Sequence, residues 1–434
     1  MAADDMGQTS GDGLAVWGGM RRPGVLIIVE NLPLPFDRRV WMEARALRDA
    51  GHTVSIICPR GKGYTSPYEM LDGIAIYRHP LPAEAIGALG YLLEYSAALF
   101  WEFVLAVRIA FGRGFDVIQA CNPPDLIFLV AAPFKLFGKK FIFDHHDLCP
   151  ELYEAKFSKR GAFYSMLRLF ERLTFGLADV SIATNESYKA VAVERGRMDP
   201  TKAFVVRSAP ERLSWTPRPP AARWRNGREH LVGYLGVMGE QEGIDLLIEA
   251  IGLIVRRHGR HDIQFVLIGD GTERGRLEAQ VAREGLGDYV RFTGRIGDSE
   301  LIEALSSADV LVNPDRPSEL NDKSTMNKIV EYMAMAKPIV QFEMTEGRFS
   351  AMDASLYARN DDVGDFAGRI LELIDDPERR AAMGASGRAR FEATLCWEHQ
   401  KPVLLEAYAQ VLGRKAAPAA QSVEPGAGFA AGGD

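Results

Sequence analysis

Lys328 and Glu331 have the residue types and the spacing with which a protein can hold a nucleotide diphosphate. They lie three residues apart in the segment KIVEY, so a helix would place both side chains on one face. A lysine near a helix N-terminus suits a diphosphate, and a carboxylate one turn further along suits the two hydroxyls of a ribose. Lys–Glu pairs at this spacing are also common on exposed helices, and the helix alone favours that simpler interpretation.

The residues around this pair predict the elements that position it. Residues 310–312 form a β-branched run, and the polar loop that follows has about ten residues, which is long for a strand-to-helix connection. Ser324 or Thr325 then offers an N-cap, and Lys337-Pro338 ends the helix before the next strand. Loops at the carboxyl ends of parallel strands are where open α/β sheets bind ligands.

Length and composition favour a soluble protein with two domains. The chain has 434 residues, 25% of them charged, and its net charge of −7 argues against nucleic acid as a partner. Its four cysteines are scattered and form no zinc motif, which predicts a reducing, cytoplasmic compartment. Residues 1–22 lack the apolar core of a signal peptide, so we expect them to form a disordered leader, and the Ala/Gly/Pro-rich residues 415–434 a disordered tail.

The alternation of strands and helices restarts once along the chain. Residues 23–213 and 229–396 each alternate apolar strands with helices, and a Pro/Arg-rich stretch at 214–228 links them. We therefore predict two Rossmann-like α/β domains that face each other across a cleft, which is the expected ligand site. The first strand, at 24–30, is followed by Asn-Leu-Pro-Leu-Pro and not by GxGxxG, which argues against a dinucleotide-dependent enzyme.

Residues 85–111 form a long apolar and aromatic segment that Glu94, Glu102 and Arg108 interrupt. A helix that spans a membrane rarely carries three charges. Two interpretations stay open. The segment is either a core helix of the N-terminal domain or a helix that lies partly in a membrane interface.

Several segments follow one another in the order known from one enzyme family. They are FDRRVWMEARALRDAGHTVSII, FDHHDLCPE, ADVSIATNES, VLIGDGTERGRLEAQ, VRFTGRI, SSADVLVNP and KIVEYMAMAKPIV. Over nearly the whole chain, from about residue 24 to residue 412, the sequence resembles the retaining glycosyltransferases of family 4. The resemblance implies the GT-B fold, in which two Rossmann-like α/β domains face each other and a C-terminal helix, here 397–413, crosses back to the N-terminal domain. It also implies an enzyme that needs no metal ion and no cofactor other than its nucleotide-sugar co-substrate.

The resemblance also implies roles for particular side chains. Glu331 would bind the ribose, Lys328 would bind the diphosphate, and His146 would contact the donor sugar or orient the acceptor. Further donor-binding candidates are Gly236, Met238, Gly239, Arg295, Lys323, Ser324, Thr325, Met326 and Asn327. Candidates for contacts to the acceptor or to a phosphate are Arg39, Asp147 and Glu151. A helix cap is an equally good interpretation of Asp147, and a solvated helix start is the alternative for Arg39.

Two positions depart from the family pattern. Lys323 lies where the family usually has a second glutamate, eight positions before Glu331. After the glycine loop at 236–239, where the family usually has Arg and Lys, this chain has Glu240-Gln241-Glu242. The loop can still offer backbone N–H groups to a phosphate, because glycine permits close approach. The departures are consistent with a phosphate role for Lys328 and a sugar contact for Lys323, and equally with a weakened donor site.

The resulting hypothesis is a retaining, metal-independent glycosyltransferase. It would move a sugar from a nucleotide diphosphate sugar, with UDP as the expected nucleotide, to a saccharide or lipid-linked saccharide in cell-surface polysaccharide synthesis. We expect a cytoplasmic protein that contacts the cytoplasmic face of the membrane and does not bind nucleic acid. The alternatives are a nucleotide-sugar 2-epimerase of the same fold and a sugar-nucleotide-binding protein that has lost activity.

Overall fold

The computed structural model describes residues 22–80, 87–157 and 160–414. The predicted tail at 415–434 lies outside these ranges, as does the predicted leader except for its last residue.

The described chain folds into two α/β domains, each built around a mostly parallel sheet, as the sequence predicts. The strands are β1 (Gly24–Ile28), β2 (Thr53–Pro59), β3 (Tyr68–Leu71), β4 (Ile74–His79), β5 (Val117–Cys121), β6 (Lys140–His145), β7 (Val180–Ala183), β8 (Ala203–Val205), β9 (His230–Leu235), β10 (Ile263–Ile268), β11 (Val290–Gly294), β12 (Val310–Asn313), β13 (Ile339–Phe342) and β14 (Ser355–Ala358). The α-helices are α1 (Arg38–Asp49), α2 (Gly87–Phe111), α3 (Phe128–Leu136), α4 (Cys149–Phe157), α5 (Ala162–Leu177), α6 (Glu186–Ala190), α7 (Ile244–Gly252), α8 (Arg274–Arg283), α9 (Asp298–Ser307), α10 (Glu319–Lys323), α11 (Asn327–Ala334), α12 (Thr345–Ala351), α13 (Val363–Ile374), α14 (Pro377–Arg390) and α15 (Trp397–Val411).

The N-terminal sheet has eight strands in the order β3-β4-β2-β1-β5-β6-β7-β8, and only β3 runs antiparallel to its neighbour. Strand β1 lies between β2 and β5, with Ile27 beside Ile56 and Gln119. Every residue of β1 is apolar or glycine and buried, as expected for a parallel strand with both faces covered. The strand order reverses between β1 and β5, so the loops that follow these two strands open into one crevice.

The C-terminal sheet has six parallel strands in the order β11-β10-β9-β12-β13-β14. Here the order reverses between β9 and β12, where Val232 of β9 pairs with Val310 of β12. The glycine loop follows β9, and the loop before α11 follows β12. The fold therefore brings both predicted donor-binding loops to the crevice where open α/β sheets bind ligands.

Helix α1 places its first residues at the cleft. The Asp37 side chain caps it by accepting a hydrogen bond from the Val40 N–H at 3.1 Å. Val40, Ala44 and Leu47 are fully buried and fix the helix on the sheet. The helix ends before Gly51, which has a φ of +91° that glycine adopts without strain.

Helix α15 crosses back to the N-terminal domain, as predicted for 397–413. Its Tyr408 hydroxyl donates to Gln119 Oε1 at 2.5 Å, beneath the centre of the N-terminal sheet. Trp397, Leu404 and Tyr408 belong to the hydrophobic core that also contains β1 and α1. Helix α15 is therefore part of the N-terminal core although it lies at the far end of the sequence.

Helix α2, from the segment with two open interpretations, has two different faces. Ala98, Glu102, Ala106 and Ile109 are buried, as a core helix requires. The opposite face exposes aromatic side chains, with Phe111 90% exposed. None of the helices in the described ranges combines the length and the apolar character that a membrane span needs.

Candidate functional site

A cavity of about 290 Å³ lies between the two domains. Asn327 and Glu331 of α11 and Asp298 of α9 line it from the C-terminal domain. Arg38 and Arg39 of α1 line it from the N-terminal domain, and residues of the interdomain linker close one end. The structure thus brings the predicted ribose-binding glutamate to a space that both domains enclose.

Glu331 has a carboxylate that is available to a ligand. No hydrogen bond or ion pair joins it to another residue of the described chain. Burial in the cleft raises its pKa to about 7, while the positive charges of Arg38 and Lys328 act in the opposite direction. A carboxylate that loses water without gaining a protein partner is suited to accept hydrogen bonds from a ligand.

Lys328 is buried and already paired with two carboxylates. Its Nζ atom donates to Glu242 Oε2 and to Asp315 Oδ1, each at 2.7 Å, and lies 5.0 Å from the centre of the Tyr234 ring. Burial opposes the charged ammonium, but Asp315, with Tyr234 and Glu242, outweighs it and holds the Lys328 pKa well above its usual range. The ammonium therefore stays charged in a fixed position at the switch point of the C-terminal sheet.

Asp315, which pairs with Lys328, also has a shifted pKa. Its side chain is 1% exposed, and burial, reinforced by the Glu242 carboxylate, raises its pKa to about 7 although Lys328 acts in the opposite direction. Its second oxygen, Oδ2, is buried without a hydrogen-bond partner among the described residues. The cluster of Lys328, Glu242 and Asp315 can thus change its net charge near neutral pH.

The glycine loop after β9 has fewer free N–H groups than its sequence predicts. The N–H groups of Gly236 and Met238 donate to the carbonyl oxygens of Ile268 and Asp270, at 3.0 and 3.1 Å. A side chain at Gly236 would meet the Tyr234 hydroxyl at 2.5 Å, so glycine is required there. The N–H groups of Val237 and Gly239 have no hydrogen bond within the described chain and are the two that a phosphate can use.

The segment before α11 differs from its prediction. The N-cap predicted at Ser324 or Thr325 is wrong, because α11 begins at Asn327 and Met326 precedes it without a capping hydrogen bond. Ser324 instead bonds the Leu320 carbonyl of α10, a short helix that the sequence analysis treated as loop. The hydroxyl of Thr325 accepts a hydrogen bond from Asn185 of the other domain at 2.9 Å. Contacts within α10 and across the domain boundary have replaced the local cap.

Lys323 and Arg295 lie on the surface of the cleft region. Lys323 Nζ donates to Glu319 one turn earlier in α10, at 2.8 Å. The guanidinium of Arg295 stacks on the Phe36 ring of the N-terminal domain, with 4.4 Å between Cζ and the ring centre. Neither cation is buried, so both can turn towards a ligand.

His146 enters the site from the carboxyl end of β6. Its Nε2 atom lies 2.9 Å from Asp144 Oδ2 and 3.0 Å from Arg39 Nε. Burial works against the imidazolium, but the Asp144 carboxylate overcomes this and raises the His146 pKa. The ring is therefore held between Asp144 and Arg39 in one orientation, with 16% of the side chain exposed.

The guanidinium of Arg39 contacts several polar groups inside the N-terminal domain. Nη1 donates to the Val206 carbonyl at 2.7 Å, and Nη2 lies 3.1 Å from both Asp144 and Glu43. Ser208 Oγ lies 3.2 Å from Nη1 and His146 Nε2 lies 3.0 Å from Nε, so each of the three nitrogens of the guanidinium contacts a polar partner. Its solvated alternative is wrong, because the side chain is 8% exposed. The geometry suits a residue that holds Asp144 and His146 in place better than one that binds a phosphate.

Asp147 and Glu151 have different surroundings. The Asp147 carboxylate makes no hydrogen bond to another described residue, and burial raises its pKa. Glu151 is 2% exposed and pairs with both terminal nitrogens of Arg195, which also holds Glu171. Asp147 is therefore available to an acceptor, whereas the carboxylate of Glu151 is occupied inside the domain.

Comparison with known proteins identifies the family. A family model described as "Glycosyl transferase 4-like domain" matches residues 37–209, and one described as "Glycosyl transferases group 1" matches residues 229–376. The chain is a family 4-type glycosyltransferase with the GT-B fold.

Individual relatives agree with this assignment. The chain is 24% identical over 366 residues to a 2-deoxystreptamine glucosyltransferase of Streptomyces kanamyceticus, which covers 79% of this chain and 89% of the relative. It is 27% identical over 371 residues to a phosphatidyl-myo-inositol mannosyltransferase of Mycolicibacterium smegmatis, covering 83% and 86%. The fold matches that of Anabaena HepE in complex with UDP-glucose, with a TM-score of 0.68, 15% identity, and coverage of 89% and 99%.

Asp315 and Asp144 are two acids of this glycosyltransferase that touch its predicted site residues and that sequence reasoning did not single out. Asp315 directly follows Asn313-Pro314 at the carboxyl end of β12, and an acid at such a position is a signal that was available. Asp144 lies at the end of β6, immediately before the His145-His146 pair. The pattern around each was visible, but the pairing with Lys328 or His146 depends on the tertiary fold.

His146 also belongs to a group of three possible metal ligands. Ligand atoms of Cys121, Asp144 and His146 lie within 4.8 Å of one another. The guanidinium of Arg39 already provides a cation there, 3.1 Å from Asp144. The donor set therefore fits a protein-internal ion pair better than a metal ion.

Proposed function

We propose that this glycosyltransferase moves a sugar from a UDP-sugar to a saccharide or lipid-linked saccharide, with retention of configuration and without a metal ion. The observation that carries the proposal is the unpaired Glu331 carboxylate on the same helix face as the fixed ammonium of Lys328. One group suits ribose hydroxyls and the other a diphosphate, and both lie at the switch point of the C-terminal sheet.

In the reaction, the bond between the anomeric carbon and the β-phosphate oxygen breaks, and negative charge grows on that phosphate. Lys328 and the N–H groups of Val237 and Gly239 would stabilise this charge. The acceptor oxygen attacks from the face that the phosphate leaves, and its proton passes to a leaving phosphate oxygen. His146, oriented by Asp144, would contact the sugar, and Asp147 would accept a hydrogen bond from the acceptor.

The choice of UDP rests on two similarities. A relative over most of the chain is a glucosyltransferase, and HepE shares the fold in its complex with UDP-glucose. A GDP-mannose-dependent mannosyltransferase of Corynebacterium glutamicum, to which the chain is 31% identical over 161 residues, makes a GDP-sugar the alternative to test.

A membrane-linked acceptor is supported by one surface of the N-terminal domain, which we call the apolar face. It consists of solvent-exposed apolar side chains at helical spacing on α2, α3 and α5, together with the residue after α3: Phe100, Trp101, Phe103, Val104, Phe111, Leu129, Leu136, Phe137, Phe163, Met166, Leu169 and Leu173. Helix α3 packs against both α2 and α5, so the three stripes form one surface. Exposed apolar surface of this extent is typical of an interaction site.

The charges around the apolar face suit an anionic lipid surface. Arg108 of α2 and Arg168 and Arg172 of α5 are exposed on two of the helices that carry it. The acidic residues of the described parts of α2 and α5, Glu102 and Glu171, are buried. An apolar surface with a cationic border is suited to the interface of an anionic membrane, where a lipid-linked acceptor would be found.

One observation favours a weakened donor site. Two carboxylates neutralise Lys328, so a diphosphate has to compete with them. Donor hydrolysis without acceptor separates the two possibilities, because a protein that only binds sugar nucleotides releases no nucleoside diphosphate.

The test is a thermal-shift panel of UDP-glucose, UDP-galactose, UDP-N-acetylglucosamine and GDP-mannose, followed by measurement of nucleoside diphosphate release. A ligand at about 100 times its Kd stabilises the protein by roughly 2.7 kcal/mol, which such a panel detects. We expect a UDP-sugar to stabilise the protein and to be hydrolysed slowly. Stabilisation by GDP-mannose alone would contradict the UDP assignment, and no release of nucleoside diphosphate from any stabilising donor would contradict the enzyme.

A further inference from the structure

The two domains touch at a cluster of buried polar contacts beside α11, which we call the interdomain clamp. On the N-terminal side it consists of Asn185, Ser187 and Arg207, and on the C-terminal side of residues 323–325 and Glu346. Asn185 and Ser187 lie where β7 leads into α6. The clamp is separate from the exposed ion pairs that also cross between the domains.

Asn185 is the central residue of the interdomain clamp. Its side chain is fully buried, and its Nδ2 donates to the Lys323 carbonyl at 2.7 Å and to the Thr325 hydroxyl at 2.9 Å. Its Oδ1 accepts the N–H of Tyr188 at 2.7 Å and so caps α6. The amide oxygen therefore bonds within its own domain, and the amide nitrogen bonds to the opposite domain.

Glu346 forms the second half of the interdomain clamp. Its Oε1 accepts from the Ser187 hydroxyl at 2.7 Å, and its Oε2 lies 3.4 Å from Nη1 of Arg207. Glu346 is 3% exposed, so its charge has no access to bulk water while the domains are together. Buried polar groups that bond only across the boundary favour one arrangement of the two domains.

The position of the interdomain clamp connects it to the donor site. The residues that Asn185 holds, Lys323 and Thr325, lie in the short segment between α10 and α11, and α11 carries Lys328 and Glu331. Helix α11 has no side-chain cap of its own. The segment 323–326 therefore sets where α11 begins, and its geometry depends on a side chain of the other domain.

We propose that Asn185 is a positioning residue of the donor site. Its amide holds the segment 323–326, which leads into α11, only when the two domains are closed. The inference rests on the proposed function, because it concerns the same donor site. Its consequence is that donor turnover, and not only the packing of the domains, requires the Asn185 amide.

The chain offers a variant that separates this role from the capping of α6. Asn185→Asp keeps the oxygen that accepts from Tyr188, and aspartate caps helices as well as asparagine does. It replaces the N–H donor by an oxygen that faces the Lys323 carbonyl. Asn185→Ala removes both contacts, and Arg160→Gln removes an exposed interdomain ion pair with Glu319 as the matched control.

We expect Asn185→Asp to lower the Tm, because a buried carboxylate then faces the Lys323 carbonyl, and to lower kcat at least tenfold at a temperature where the variant is folded. The Kd of UDP should change less than threefold, because α11 stays folded in its own domain. Hydrogen exchange of residues 323–327 should be faster in this variant when UDP is bound. Arg160→Gln should match the wild type in all four measurements.

The outcomes separate this inference from the proposed function. A kcat within twofold of the wild type for Asn185→Asp, with unchanged exchange, would overturn the positioning role. If Asn185→Asp fails to fold, Thr325→Val removes one of the two contacts that the Asn185 amide makes across the boundary and is judged by the same limits. If the wild type itself turns over no nucleotide sugar, the proposed function fails, and hydrogen exchange with UDP alone decides whether Asn185 orders the segment.

Discussion

Replacement of Lys328 by methionine tests the central assignment, that one fixed ammonium stabilises the leaving diphosphate. Loss of a single preorganised donor to a developing anion typically lowers kcat by roughly 10²–10³. We expect a loss of that order, because among the candidate cations only Lys328 is fixed at the switch point, while Lys323 and Arg295 lie at the surface. The assay is kcat with the donor that the thermal-shift panel selects.

The same replacement affects stability, and the structure gives its size and pH dependence. Loss of one partner from a buried ion pair costs about 3–5 kcal/mol. Asp315, with a pKa of about 7, can take up a proton, so we expect a cost near the lower limit. About 3 kcal/mol lowers the Tm of a domain of this size by roughly 6–12 °C.

The pH dependence of that cost has a definite sign. The folded state raises the pKa of Asp315 above its ordinary value of 3.8, so the folded state favours the protonated form and wild-type stability falls as pH rises from about 4 to about 7. Without the ammonium of Lys328, the folded pKa rises further. The destabilisation of Lys328→Met should therefore be smaller at about pH 6 than at about pH 8.5.

A matched variant separates the loss of activity from the loss of stability. Lys328→Met combined with Glu242→Gln and Asp315→Asn removes the ammonium and both unpaired charges, so stability should return to within about 1 kcal/mol of the wild type. Activity should not return. If this triple variant recovers kcat to within tenfold of the wild type, the ammonium is not needed and the assignment is refuted. Lys328→Arg should recover activity only in part, because a planar guanidinium cannot reproduce the hydrogen bonds that the compact ammonium makes to Glu242 and Asp315.

Three further expectations concern the ribose, the metal and the membrane. Glu331→Ala should weaken donor binding by roughly 1.5–3 kcal/mol without unfolding the protein. Because the pKa of Glu331 is about 7 and the carboxylate accepts stronger hydrogen bonds than the protonated acid, wild-type donor KM should also fall between about pH 6 and pH 8, whereas Glu331→Gln should lose this dependence. Activity should persist in excess EDTA, and a complete loss that Mg²⁺ or Mn²⁺ restores would place the enzyme in another class of transferase. The protein should sediment with phosphatidylglycerol vesicles at low salt and be released at high salt. The double variant Trp101→Ser with Phe137→Ser should abolish this sedimentation, while Met352→Ser on the other domain should not. A wild-type protein that stays in the supernatant at low salt would contradict the role of the apolar face.

The sequence predicted the strands that position the site because the local pattern determines them. Strands β1, β9 and β12 are apolar runs that read as buried parallel strands, and the fold confirms them. The short helix α10 was missed because five residues carry almost no periodicity. Its stability comes from Ser318, whose hydroxyl accepts from the Asn321 N–H at 3.1 Å.

The partners of the site residues were not predictable in the same way. Glu242 is 86 residues from Lys328 in sequence, and the sequence marks it only as an unexpected acid after the glycine loop. Arg39 bonds residues of β6 and of the segment after β8, so its interior position depends on the order of strands in the sheet. Local spacing determines which residues share a helix face, but tertiary packing determines which of them remain free.

Two opposing effects meet at Lys328, and their balance decides how the donor site works. The hydrogen bonds to Glu242 and Asp315 fix the ammonium before the donor arrives, so little side-chain freedom is lost on binding. The same carboxylates place negative charge beside the position of a diphosphate, which opposes binding. Because burial raises the pKa of Asp315 to about 7, protonation of this one group removes half of that opposing charge and leaves the ammonium held by Glu242. The ammonium therefore stays fixed in place. The electrostatic cost of binding a diphosphate beside it depends on whether Asp315 is protonated, which changes near neutral pH.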